Sequence, residues 1–161
     1  MNSRLIKGLF SAAAALYISI VCFNNVFDYN SNFSFVRIVS SMEDTFSKEK
    51  NGWRAINSTV LHHALYIFII TWECIVAALL WLGSYRMLKH LKAPAARFKS
   101  QKKYTANGLA FGVMLWFTVF IAIGGEWFMM WQSKTWNAQS TGFFLTGTFL
   151  LFLIYHNQED E

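Results

Sequence analysis

Glu73 and Glu126 stand inside long apolar runs, each beside a tryptophan, as Trp72-Glu73 and Glu126-Trp127. A carboxylate near a bilayer centre costs about 2.5–3.5 kcal/mol on insertion scales, so it turns to the bundle interior and takes a partner. Two chemistries suit such a group. One is a proton, ion or solute site in a polar pocket. The other is an interhelical hydrogen bond that fixes packing. Asn24, Asn25 and Asp28 close the first apolar run, and His62 precedes the second. With the two glutamates they form the candidate intramembrane polar site.

The remaining chemistry is sparse. His62 and His63 lie at one end of the second apolar run, whereas His90 and His156 belong to the opposite side. They do not make the facing axial pair that a bis-histidine haem needs. Their spacing with Asp28 or Glu73 matches no zinc signature. The chain contains no nucleophile elbow, phosphate loop or dinucleotide fingerprint. The sequence therefore implies no catalytic residue, no metal and no cofactor. Cys22 and Cys74 both fall in apolar segments and read as small buried hydrophobes, not as a disulfide framework.

The elements that must position these groups are membrane spans. Of 161 residues, 55% are hydrophobic and 18% aromatic, and the 14 Lys and Arg fall between uncharged runs. That distribution argues against nucleic-acid binding. A spanning helix needs about 20 mostly apolar residues. Windows at 8–27, 63–85, 108–131 and 141–155 meet or approach this, the fourth being the shortest. The first has the basic and apolar regions of a signal peptide but no small-x-small cleavage site, so it reads as a retained anchor. The fold class expected is an all-α four-transmembrane-helix bundle in one integral membrane domain, 1–161.

Orientation follows from the basic residues. The 86–105 connection carries Arg86, Lys89, Lys92, Arg97, Lys99, Lys102 and Lys103, and Arg4 and Lys7 precede the first span. Short basic segments stay in the cytoplasm, which places both termini there and the 28–62 connection outside. In that outer connection Phe35, Val39, Met42 and Phe46 recur at spacings of four, three and four. They predict an amphipathic helix lying on the outer surface or capping the bundle.

Helical spacing then aims the carboxylates. Gly108, Gly112, Leu115, Val119, Ala122 and Glu126 form one stripe of the third helix, whose small residues Gly108, Gly112 and Ala122 predict a packing face. His62, Tyr66, Ile69, Glu73, Ala77, Leu80 and Ser84 form the matching stripe of the second. By helical rise Glu126 lies about 8 Å and Glu73 about 15 Å below the outer surface. The expected object is a polar pocket opening outward, with Glu126 bonded to Asn24, Asn25 or Glu73.

The segment from Gly124-Gly125-Glu126-Trp127-Phe128 through Met130-Trp131-Gln132-Ser133 to Trp136-Asn137 resembles a signature of bacterial predicted small integral membrane proteins catalogued as a domain of unknown function. Asp28 to Phe33, Phe35 to Met42 and Trp53 to Ile56 are similar to its outer-loop pattern, although Ile38 stands where that pattern carries a polar residue or histidine. The resemblance implies a four-helix protein of the bacterial inner membrane and names no activity. Together the residues predict a non-enzymatic accessory or interaction subunit, with the lipid bilayer and a membrane-protein partner or second copy as its contacts. The alternative is a proton, ion or small-solute transport component using Glu73 and Glu126.

Overall fold

The computed structural model describes residues 3–160, which form helices and connecting turns and, among the described residues, no strand. The elements are α1 (Ser3–Phe27), α2 (Tyr29–Ser40), α3 (Lys48–Asn51), α4 (Thr59–Lys89), α5 (Ala95–Gln101), α6 (Lys103–Met114) and α7 (Gln139–Asn157). From Leu115–Trp127 the helix begun by α6 continues with π winding. Three helices, Ser3–Phe27, Thr59–Lys89 and the run Ala95–Trp127, are long and apolar enough to cross a membrane. The 19-residue α7 is diluted by Gln139, Ser140, Thr141, Thr146 and Thr148.

Backbone approaches define an antiparallel order. Ser84 Oγ donates to Gly8 O (2.9 Å) and Ser11 Oγ to Leu80 O (2.9 Å), so α1 runs against α4. Gly83 lies against Thr105 and Gly108 against Leu80, which sets α6 antiparallel to α4. Gly112 faces Phe149 and Gly125 faces Gln139, which sets α7 antiparallel to the third helix. These glycines are placed where a Cβ would strike the neighbouring helix. In lipid such close packing is what holds helices together, since hydrocarbon supplies no hydrophobic drive between them.

The core follows: Ala14, Ala15, Ile18, Val76, Ala77, Leu80, Leu109, Trp116, Leu145 and Phe149 are buried together. Phe23, Phe68, Ile75, Phe117, Phe144 and Leu151 point outward and are exposed. An apolar flank of this extent suits hydrocarbon and would drive aggregation in water.

Both described ends of the chain meet at the α5 end of the bundle. Arg4 Nη1 donates to Leu91 O and Ala93 O, and Lys7 Nζ to Asp160 Oδ1 (2.7 Å). At the other end α2, Met42, Phe128 and Met130 make a second apolar cluster. Here the structure departs from the expected 35–46 helix. It begins earlier, at Tyr29, and ends at Ser40, and Met42 takes a left-handed φ of 54°. Phe35, Val39 and Met42 still pack inward, but Phe46 falls past the turn and is exposed.

Candidate functional site

Glu73, midway along α4, is 1% exposed. Its position follows from the regular α-helical period, because every residue of the His62 to Ser84 stripe is buried. Asn25 Nδ2 donates to Glu73 Oε2 at 2.7 Å, and Tyr66 Oη donates to Asn25 O at 2.9 Å. The three residues tie the end of α1 to α4. One residue further along, the sulfurs of Cys22 and Cys74 are joined as a disulfide across a Cα–Cα distance of 6.2 Å. This corrects the reading of two independent buried hydrophobes. The signal was a stripe on α1, Lys7, Ser11, Ala14, Ile18, Cys22 and Asn25, at spacings of four, three, four, four and three.

Glu73 and Asn25 line a cavity of about 250 Å³ between α1, α2, α4, the π segment and the start of α7. Phe35 of α2 and Trp116 and Phe120 of the π segment supply aromatic walls. Trp116 and Phe120 pack at 4.4 Å between ring centroids. The indole nitrogen of Trp116 is buried and has no hydrogen-bond acceptor. A smaller apolar cavity of about 70 Å³ shares Phe35, Val36, Ile69 and Phe120 as walls.

The third helix places its residues differently from the expected stripe. Gly108 and Gly112 are buried against Leu80 and Phe149 as a packing face requires, but Ala122 and Glu126 are exposed. The cause is the π winding, whose i→i+5 bonds add residues to each turn. Phe128 N–H bonds Ile123 O (2.9 Å) in that pattern. Beyond Leu115 the buried positions become Trp116, Ile121, Gly124 and Gly125, so an α-period projection rotates away from the core. Glu126 Oε1 accepts from Gln139 Nε2 at 3.1 Å, not from Asn24, Asn25 or Glu73. The same winding turns Trp116 and Phe120 to the cavity.

The other candidates disperse. Asn24 and Asp28 are exposed, and only their backbone carbonyls accept bonds, from Asp28 N and Asn32 Nδ2 respectively. His62 is buried and its Nε2 donates to Ile56 O at 2.8 Å, which fastens the loop before α4. Of the six proposed polar-site residues, the structure brings Asn25 and Glu73 together at the cavity.

At the α5 end lies a polar knot that sequence reasoning missed. Ser11 Oγ and Thr105 Oγ1 meet at 2.8 Å. The buried ammonium of Lys7 and that of Lys102 both bond Asp160 and Gln158 O. Burial pushes the Asp160 carboxyl up, but the hydrogen bonds from Lys7 and Lys102 outweigh it and hold the group below its ordinary range. Lys7 read as a topology signal, and only the tail's return reveals its partner.

An inward-turned polar centre within an apolar-flanked helical bundle defines a small polytopic integral membrane protein. The chain belongs to the family of predicted small integral membrane proteins DUF2165, whose model matches residues 3–159. No curated protein and no solved structure matches it significantly.

Proposed function

We propose that the chain is a non-enzymatic, solute-binding component of a membrane assembly, and that its working part is the cavity around Glu73. In this reading it sits in the bacterial inner membrane as a four-span bundle, with α7 the fourth span. Both termini and the basic α5 end face the cytoplasm, and α2 caps the cavity from outside. Its contacts are lipid and a larger membrane protein or a second copy.

The observation that carries the reading is a buried carboxylate on a cavity wall. Glu73 has one oxygen bonded by Asn25, and Oε1 has no hydrogen bond among the described residues. A carboxylate kept only for packing is expected to have both oxygens satisfied by protein, since an unmet buried acceptor is costly. A relay through Glu73 and Glu126 has less support, because Glu126 is engaged with Gln139 on the exposed flank.

Native mass spectrometry of protein taken gently from its own membrane tests this. Wild type and Glu126→Gln are expected to carry a bound small molecule that Glu73→Gln has lost. If all three release the same molecules in the same amounts, the cavity is not a solute site.

A further inference from the structure

Resting on that reading, we propose that the occupant is a small organic ammonium that also carries an oxygen acceptor, its ammonium on Glu73 and its oxygen on the indole N–H of Trp116. The cavity states what it lacks. Glu73 Oε1 needs a donor, and Trp116 Nε1, on a residue 5% exposed, needs an acceptor. Both residues line the same space. No Lys, Arg or His lines it, so the carboxylate is its one formal charge.

Three occupants compete. A bare proton would satisfy Glu73 but leave about 250 Å³ and the Trp116 donor unfilled. A hard metal cation needs some six oxygen ligands. Among the described residues no group of three His, Cys, Asp or Glu could hold one, and these walls are chiefly apolar and aromatic. An organic ammonium needs few polar partners and gains from aromatic faces, which Phe35, Trp116 and Phe120 supply. The apolar annex behind Phe35 and Phe120 accepts a short hydrocarbon portion. The volume falls below the roughly 300 Å³ at which drug-sized pockets begin, so the ligand is compact.

Binding of three probes to the purified full chain, followed by calorimetry, tests the chemical class. Tyramine carries ring, ammonium and oxygen; phenethylammonium lacks the oxygen; 4-ethylphenol lacks the ammonium. Tyramine should saturate the wild type at millimolar concentration or below. 4-Ethylphenol should bind about tenfold more weakly or worse, as should tyramine to Glu73→Gln, the loss expected for one charge-assisted hydrogen bond. Trp116→Phe should weaken tyramine several-fold and leave phenethylammonium unchanged. Thermal melts of each variant establish that it is folded.

Absence of saturable tyramine binding to the wild type overturns the proposal. If 4-ethylphenol binds as tightly as tyramine and Glu73→Gln changes neither, but cavity-filling Ala138→Phe abolishes both, the cavity binds solutes and the cationic class is wrong. If tyramine binding ignores both Glu73→Gln and Ala138→Phe, the molecule sits elsewhere and the cavity reading fails with it.

Discussion

Glu73 and Asn25 exchange one hydrogen bond at 2.7 Å in a region with few other polar groups, so the two substitutions of Glu73 should behave differently. Glutamine keeps an acceptor for Asn25 Nδ2 and nearly the same volume. Alanine strands that donor and opens further space. Glu73→Ala should therefore lower stability by about 1–2 kcal/mol relative to Glu73→Gln, the range of interhelical hydrogen bonds in membranes. Detergent thermal melts measure it, and equal melting temperatures would show that the bond contributes nothing. Asp160 supports a second expectation, with the sign fixed by its depressed pKa. A carboxylate held below its ordinary value contributes stability above that value and loses it as pH falls through the folded one. Docking of the tail on Lys7 and Lys102 should persist at neutral pH and fail below about 3.8, the ordinary value of the group. Carboxypeptidase trimming or hydrogen exchange at the C-terminus follows the release. Asp160→Asn should leave the tail loosened at every pH and remove the acid step.

Among the helices, what the sequence disclosed depended on whether the winding was regular. The α4 stripe from His62 to Ser84 is buried throughout because thirty-one residues hold one α-helical period. The third helix obeys that period through Gly108 and Gly112 and then changes to π winding, so the projection fails at Ala122 and Glu126. Nothing in composition announces the change, since Leu115 to Trp127 is as apolar as an ordinary span. Trp116 was for the same reason invisible as a cavity residue. The α1 stripe that ends in Cys22 and Asn25 was legible but passed over. Residue type told little there, and only packing against α4 gives the pattern meaning. Gly83 was also missed, as it lies one position from the stripe residue Ser84. A Cβ there would strike the hydroxyl and backbone of Thr105, whereas one at Gly147 meets nothing within 4 Å. Gly83→Ala should thus destabilise the bundle by about 1–3 kcal/mol, as overpacking does. Gly147→Ala should be neutral or stabilise by up to about 1 kcal/mol through helix propensity. Comparable losses in the two variants would mean that α4 and α6 do not approach through Gly83.

The whole chain is polar at both ends of the bundle but in different ways, and this asymmetry orients it. The α5 end gathers Arg86, Lys89, Lys92, Arg97, Lys99 and Lys103 together with both described chain ends. The α2 end carries aromatic pairs such as Trp53 with Trp127 (5.7 Å) and Phe46 with Trp131 (6.1 Å). Basic segments are retained in the cytoplasm, while aromatic rings settle at either interface. The basic end should therefore face inward, and the cavity should open outward. The fourth span is a separate matter, because α7 is short, about 28 Å by helical rise against a hydrocarbon core of about 30 Å. It nonetheless tracks the third helix from Gln139 beside Gly125 to His156 on Lys102 O, which a surface helix could not do. Single cysteines at exposed positions resolve both points: Lys50→Cys, Lys134→Cys, Ser100→Cys and Glu159→Cys. In spheroplasts an impermeant maleimide should modify Lys50→Cys and Lys134→Cys, and should reach Ser100→Cys and Glu159→Cys only after lysis. Labelling of Ser100→Cys and Glu159→Cys alone would invert the protein and open the cavity to the cytoplasm. Labelling of Glu159→Cys together with Lys134→Cys, with Ser100→Cys still protected, would mean that α7 does not cross. The bond of Lys7 and Lys102 to Asp160 could then not form in the membrane, and the acid step expected for the tail would vanish with it.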